Sequence, residues 1–444
     1  MADVSAKSKR TDPMIVRFCT YTVLRNLRPF EPFFVLFFLL GMGLDYAHAA
    51  FYLAFQQIVW ASLEVPGGAV TDRWGRRRAL IASFIANGVA FAMLGLAAAG
   101  WSNWLLLLAA LSLYGLGESL RSGTHKAMML HWAELHGRSD HVDEIIALTR
   151  LFSKTSAGVA ALVGGMLIWL TGSFALLFWF SAGVCVLGGL LIATYPKVLE
   201  GPWADRAAPA AEPQTATEQP AHPRWRDRFW RLFAAPGIVP LLIASVIFES
   251  QIKVAKSYLQ PYLAEGFRLQ DIAVIGGLGG LAIGVYFLVQ DVFAGFCATQ
   301  GKRVKKRVQG VLPAATWIYA AGTIAIVVVA AMLWMQWRWA GLPALLLLVG
   351  LQNLRRPLFI AALDKFMDKY QRATTISVET LARCVAYAIT VVVSGYLADA
   401  VGLRSAYAAM AGLFVLGLWP TLLAARRESA KKRSGPRMNA DEHG

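Results

Sequence analysis

Fourteen charged side chains lie within apolar stretches: Arg25, Arg28, Glu31, Glu118, Arg121, Arg150, Lys154, Glu249, Lys253, Lys256, Arg355, Arg356, Glu379 and Arg383. An ion at bilayer depth is costly unless it faces protein or a water-filled cavity, so these residues mark candidate sites. Each of the four carboxylates has a cation one helical turn away: Glu31 with Arg28, Glu118 with Arg121, Glu249 with Lys253, and Glu379 with Arg383. Those spacings let side chains on one helix meet. Six cations have no such neighbour: Arg25, Arg150, Lys154, Lys256, Arg355 and Arg356. Arginine presents a planar fork suited to carboxylate or phosphate, so Arg25, Arg28, Arg121, Lys253 and Arg355 are candidates to bind an anion. The competing reading is that several of these cations bridge helices or reach back to lipid headgroups, Arg150, Arg356 and Arg383 above all. Glu31, Glu118 and Glu249 can exchange a proton if their surroundings alternate; the competing reading is a permanent ion pair.

The elements that position these residues follow from composition. Of 444 residues, 57% are hydrophobic and 16% charged, where about 25% charged is usual for soluble domains. Mean hydropathy is +0.50. An ordinary soluble enzyme, a disordered chain and a small secreted scaffold are excluded. The pattern predicts an all-α membrane protein of about twelve spans, at roughly 14–42, 47–68, 79–99, 104–125, 145–169, 174–194, 237–262, 271–297, 309–333, 340–362, 376–399 and 405–425. Asp12-Pro13 reads as the N-cap and first turn of the first span. Spans 3, 6, 9 and 12 carry no Asp, Glu, Lys or Arg, as peripheral lipid-facing helices require.

Basic residues cluster in alternate loops: Lys7 to Arg10, Arg73 to Arg78, Lys302 to Arg307, Lys365 to Arg372, and the tail 426–444. The opposite loops carry only Arg268, Arg338 and Arg404. The positive-inside rule places both termini in the cytoplasm. It also accounts for the net charge of +16 without nucleic acid. Domains are expected at 1–196 and 236–425, joined by a cytoplasmic linker over 197–235. Within the linker, 224–235 places Trp225, Phe229 and Phe233 on one face and arginines on another, the pattern of an interfacial helix on anionic lipid. Glu118-Ser119-Leu120-Arg121 in span 4 matches Gln352-Asn353-Leu354-Arg355 in span 10, with Arg150 and Arg383 following at similar separations. That suggests an internal repeat, whose binding site falls between the halves. The four cysteines read as buried hydrophobes, and no cleavable leader is evident.

Between spans 2 and 3 the chain reads Gly68-Ala69-Val70-Thr71-Asp72-Arg73-Trp74-Gly75-Arg76-Arg77-Arg78. This resembles the signature loop of the major facilitator superfamily, G-x-x-x-D-R-x-G-R-R, at all six defining positions. The resemblance implies two six-helix bundles, a cavity lined by spans 1, 4, 7 and 10, and a conformational latch built from Gly68, Asp72, Arg73, Gly75, Arg76 and Arg77. In that family the latch ties span 2 to span 11. Gly68 is expected to pack closely, Gly75 to form the tight turn, and Arg76 to Arg78 to stay in the cytosol. The second-half copy, Gly295 to Lys302, has Thr299 in place of the aspartate, and Asp291, one turn before Gly295, is the candidate to stand in for it.

The resemblance further implies a secondary active transporter of the bacterial inner membrane working by alternating access; the surplus of cations points to a small anionic or zwitterionic solute, and the carboxylates to proton coupling. No enzyme activity and no cofactor are expected, and since nothing resembles a nucleotide-binding loop, ATP drive is not expected. The expected partners are the solute, protons and anionic lipid at the linker, with the chain a monomer. The alternatives are export of amphipathic compounds, transport of iron or its chelates, and a non-transporting receptor or scaffold. The drug-antiporter motif of span 5 is only partly present: Ser156, Ala160 and Ala161 stand at its Gly, Gly and Pro positions, before Gly164-Gly165. His125, His131, His136 and His141 cluster after span 4, but their spacing does not share one helical face. A solvated loop is favoured over a metal site.

Overall fold

A computed structural model describes residues 12–101, 103–200, 238–267, 278–308, 311–363 and 372–433. The elements of these residues are all helical. They are α1 (Pro13–Asn26), α2 (Tyr46–Trp74), α3 (Arg76–Ala98), α4 (Trp104–Arg121), α5 (Thr124–Leu135), α6 (Val142–Thr171) and α7 (Phe174–Ala193), then α8 (Ile238–Gly266), α9 (Gly280–Thr299), α10 (Gly301–Arg307), α11 (Val311–Trp334), α12 (Arg338–Leu363), α13 (Arg372–Val401) and α14 (Leu403–Arg433). Eight of them contain stretches long and apolar enough to cross a membrane. The interfacial helix expected at 224–235 lies outside the described residues.

Three expected boundaries differ, each for a local reason. The first span is not one helix. α1 ends at Asn26, and the chain resumes as a 3-10 turn at Glu31–Phe33, a short α-turn at Phe34–Leu36 and a π-turn at Phe37–Gly41. Pro29 and Pro32 lack the N–H a continuous helix needs. Asp12 caps α1 as expected, accepting from the Met14 N–H. The signature loop is almost entirely helical. α2 runs to Trp74, α3 begins at Arg76, and Gly75 alone makes the turn with φ of 95°, a left-handed conformation that glycine adopts without steric cost. Span 4 breaks at Ser122-Gly123, where Gly123 has φ of 74°, and α5 starts afresh.

By packing the chain forms two units that are discontinuous in sequence. The first holds Met1–Glu218, Lys256–Gly295 and Ala388–Leu403; the second holds Gln219–Ala255, Phe296–Tyr387 and Arg404–Gly444. Inside the first, small residues let backbones approach. A Cβ on Gly165 would lie 2.7 Å from the Gly280 carbonyl and one on Gly284 2.6 Å from that of Ala161, so α6 and α9 cross in close contact. Gly164 abuts the Pro29 carbonyl. Gly67, rather than the expected Gly68, seats α2 on α4: its Cβ would meet Ser119 Oγ at 3.0 Å, whereas nothing lies within 4 Å of a Cβ on Gly68. In the second unit Phe248, Tyr319 and Phe414 pack ring against ring. The charge-free spans expose apolar side chains, among them Ile85 on α3, Leu187 on α7, Ile324 on α11 and Leu416 on α14, as lipid contact requires.

Candidate functional site

Most of the intramembrane charges described gather in two networks, one in each unit. In the first, Glu118 on α4 is the hub. Arg28 Nη2 donates to Glu118 Oε1 at 2.8 Å, Arg121 Nη2 donates to Oε2, and Asn87 Nδ2 donates to Oε1 at 3.3 Å. Arg28 also donates to the Tyr114 hydroxyl at 3.2 Å and lies over the Phe91 and Tyr114 rings. Arg28 is 7% exposed and Arg121 8%. Glu31 is 3.6 Å from Arg28, with its side chain 54% exposed. Of the in-helix pairs expected here, Arg121 with Glu118 and Arg28 with Glu31 are present, but Arg28 makes its shorter bond across to α4.

In the second unit, Arg355 on α12 is 1% exposed and clasped between Phe248 and Phe359. Its Nη1 is 3.8 Å from Glu249 Oε1 on α8. Gln352 Nε2 donates to Glu249 Oε2 at 2.9 Å. Glu249 was expected beside Lys253; its carboxylate instead faces α12, and Lys253 Nζ sits over the Tyr387 ring at 4.4 Å. Glu379 takes Arg356 at 2.9 Å and Arg383 at 3.2 Å, and accepts from Ser245.

Among the described residues, cations without an in-helix neighbour find partners on other helices. Arg355 and Arg356 pair as above, and Lys154 Nζ on α6 meets Asp291 Oδ1 on α9 at 3.0 Å. Asp291 is thus committed to α6 rather than standing in for the aspartate missing from the second-half signature. Arg25 and Arg150 make no hydrogen bond or ion pair among the described residues. Both line a cavity of about 430 Å³ in the first unit, with Thr22, Trp60, Glu118, Arg121, Lys126 and Thr149 among its walls.

The histidines separate. His125 is buried, stacked on Tyr21 with ring centroids 3.6 Å apart and edge-on to Phe18, so it is a core residue rather than part of a solvated loop. His131 and His141 lie beside Glu134 and Glu144. Among the described residues no three His, Cys, Asp or Glu side chains converge as a metal site would need.

The family model described as Major Facilitator Superfamily matches residues 14–385. The chain belongs to the Major Facilitator Superfamily. Among its relatives, the multidrug resistance protein MdtH of Proteus mirabilis is 27% identical over 179 residues, 39% of this chain and 42% of that protein. MdtH of Photorhabdus laumondii is 27% identical over 181 residues, 39% and 43% of the two chains. The chain thus spans less than half the length of the curated relatives it matches. The nucleoside transporter NupG superposes with a TM-score of 0.70 at 12% identity, over 94% of this chain and 100% of that one. The D-xylose-proton symporter superposes with 0.68 at 13%, over 92% and 96%. At these identities the likeness is one of fold.

The superfamily's signature loop is only partly solvated. Arg77 Nη2 donates to the Ala193 carbonyl at 2.7 Å and Nη1 lies 3.6 Å from Glu200. Arg76 Nη1 reaches the Ala127 carbonyl at 3.4 Å. Two basic residues expected in the cytosol therefore tie α3 to the ends of neighbouring helices, Arg77 at a C-terminus where the dipole favours a cation. Asp72 and Arg73 are exposed and make no hydrogen bond or ion pair among the described residues.

A second set of residues escaped the sequence reading. Asp399 on α13 accepts from the N–H groups of Tyr46 at 2.9 Å and Ala47 at 2.8 Å, at the start of α2. A Cβ on Gly395 would lie 2.7 Å from the Tyr46 carbonyl, so this glycine lets α13 lie on α2. Gly402 then turns the chain with φ of 96°. Gly395, Asp399, Gly402 and Arg404 repeat the spacing of Gly68, Asp72, Gly75 and Arg77. That repeated spacing was the available signal.

Proposed function

We propose that this protein is a secondary transporter that moves a small organic anion across the bacterial inner membrane by alternating access. The observation that carries the reading is the cavity of the first unit, where Arg25, Arg121, Lys126 and Arg150 face a single carboxylate, Glu118. Glu118 is already held by Arg28 and Arg121, so the surplus positive charge calls for an anionic occupant. Arg25 and Arg121 are its binding residues, while Arg28 and Arg355 hold helices together. The apolar walls Trp60, Met129 and Ile146 suit an amphipathic anion, in keeping with relatives named multidrug resistance proteins. They give no reason to expect a lipophilic cation.

Alternating access is supported by the two copies of the glycine–aspartate pattern, which are in opposite conditions. On the side away from the basic loops, Asp399 is bonded to α2, and Gln260 on α8 donates to the Glu31 carbonyl and accepts from the Val35 N–H. On the basic-loop side Asp72 is unbonded. With the basic loops cytoplasmic, the bonded copy serves in this reading as an outer latch and the unbonded copy as an inner one. Six-helix halves at 1–196 and 236–425 remain the mechanical bodies in this reading, and outer closure would place the outer ends of α8, α9 and α13 against the first half. Proton coupling falls to Glu31, which keeps an exposed carboxylate, and to Glu249, whose Oε1 has no hydrogen-bond donor. Glu118 is saturated by its cations.

Flux in proteoliposomes tests the reading. Amphipathic organic anions should exchange, with uptake enhanced by a proton gradient, while lipophilic cations of the same size do not. Preference for cations, or no flux of either, would overturn it. Asp72→Asn should leave expression and melting temperature unchanged, because the side chain is exposed and unbonded here, yet lower flux severalfold, because the latch forms only in the other state. Normal flux at normal expression would remove Asp72 from the mechanism.

A further inference from the structure

The cavity of the first unit carries more than a sign of charge. We propose that it binds the phosphoryl group of a phosphorylated organic solute; this rests on the anion-transport reading and narrows it to one substrate class.

Three features converge. The first is the number of donors without acceptors. Arg25, Lys126 and Arg150 line the cavity and make no hydrogen bond or ion pair among the described residues. Arg121 uses only Nη2, on Glu118; its Nε is buried without a partner. Two guanidinium forks come from α1 and α6 and a third from the end of α4. A monocarboxylate carries one charge and two oxygens, and would leave most of these cations uncompensated. A phosphate monoester carries about −1.5 to −2 charges and three acceptor oxygens near pH 7.

The second is the break in span 4. α5 begins at Thr124 directly after the left-handed Gly123, and no side chain caps it. Ser122, Gly123, His125 and Lys126 all line the cavity. The start of this twelve-residue helix therefore borders the same space as the arginines. A helix start supplies donors and the positive end of a dipole, the arrangement that holds phosphate oxygens. His125, locked between Tyr21 and Phe18, fixes that helix start in place.

The third is size and wall chemistry. A volume of about 430 Å³ falls within the range of roughly 300–1,000 Å³ typical of organic-ligand sites. It far exceeds what inorganic phosphate fills. Trp60, Met129 and Ile146 offer an apolar wall, so the group attached to phosphorus is apolar or aromatic in part.

The test uses the full chain in nanodiscs of zwitterionic lipid, with binding read by calorimetry and by the shift in melting temperature. The probes are phenyl phosphate, inorganic phosphate, benzoate, succinate and benzyl alcohol. Phenyl phosphate should bind at least tenfold more tightly than benzoate or succinate, and more tightly than inorganic phosphate. Arg150→Gln and Lys126→Gln should each weaken phenyl phosphate binding about tenfold while leaving the ligand-free melting temperature unchanged, since both residues are exposed. Benzoate or succinate binding as tightly as phenyl phosphate would overturn the phosphoryl assignment and leave the anion reading standing. Anions binding no better than benzyl alcohol would overturn both. A third arm replaces part of the lipid with phosphatidic acid. If that lipid alone, and not phenyl phosphate, stabilises the protein through Arg150, the site belongs to a lipid headgroup and the solute assignment fails.

Discussion

Replacing Glu118 by leucine should destabilise the protein by about 3–5 kcal/mol, the cost of stranding a buried charge when its partner is removed. Glu118 is the shared acceptor of Arg28 and Arg121, and both arginines are more than nine-tenths buried. Arg28 is packed over Phe91 and Tyr114, and its one remaining carboxylate, Glu31 at 3.6 Å, is half-exposed and makes the longer contact. Arg121 borders the cavity and can recover water. The loss should therefore come mostly from Arg28, which a double substitution checks. Glu118→Leu with Arg28→Met removes both charges and should regain more than half of the lost stability, because apolar replacement of a buried pair is often neutral. Glu118→Gln keeps an acceptor and should cost less than Glu118→Leu. The measurement is thermal unfolding of the purified variants in one detergent. If the double variant were no more stable than Glu118→Leu, the carboxylate would be doing something other than neutralising Arg28.

The same network shows what a sequence discloses and what it withholds. The charge-free spans and the signature turn at Gly75 are visible because each is a property of one helix or one turn. Partner choice is not. Glu249 has Lys253 one turn away but turns to Arg355 and Gln352 on α12, since helix rotation and packing, which spacing does not encode, decide which face meets which. Lys154 and Asp291 are 137 positions apart and have no local signature. Gly67 and Gly68 are equivalent as letters, yet 100° of helical rotation separates the one that touches α4 from the one that touches nothing. The repeat between spans 4 and 10 is legible in Arg121 and Arg355, but the networks differ in which helix carries the acid. In the first unit α4 supplies Glu118; in the second α12 supplies Gln352 and α8 supplies Glu249.

Asp399→Ala should open the outer side of the transporter. The carboxylate bonds the first two N–H groups of α2, where the helix dipole adds to the attraction. Asp45 already caps the same helix from within, accepting from the His48 N–H at 2.7 Å, and that bond holds the Asp45 carboxyl below its usual range. Asp399 is thus surplus as a cap but ties α13 to α2, a contact that Gly395 permits and that the proposed alternating access would have to break. Solvent exposure reduces what the two bonds contribute to about 1–2 kcal/mol, a factor of roughly 5–30 in the ratio of closed to open states. Hydrogen exchange at Tyr46 and Ala47 should accelerate by that factor in Asp399→Ala, and by less in Asp399→Asn, which keeps one acceptor oxygen. Asp45→Ala is the control: it should speed exchange at His48 but leave α13 and the transport rate unaffected. Asp72→Asn acts on the opposite latch and should bias the protein the other way, so Asp399→Ala combined with Asp72→Asn should restore part of the balance that either variant alone disturbs. Identical exchange and flux in Asp399→Ala and Asp45→Ala would reduce Asp399 to an ordinary helix cap.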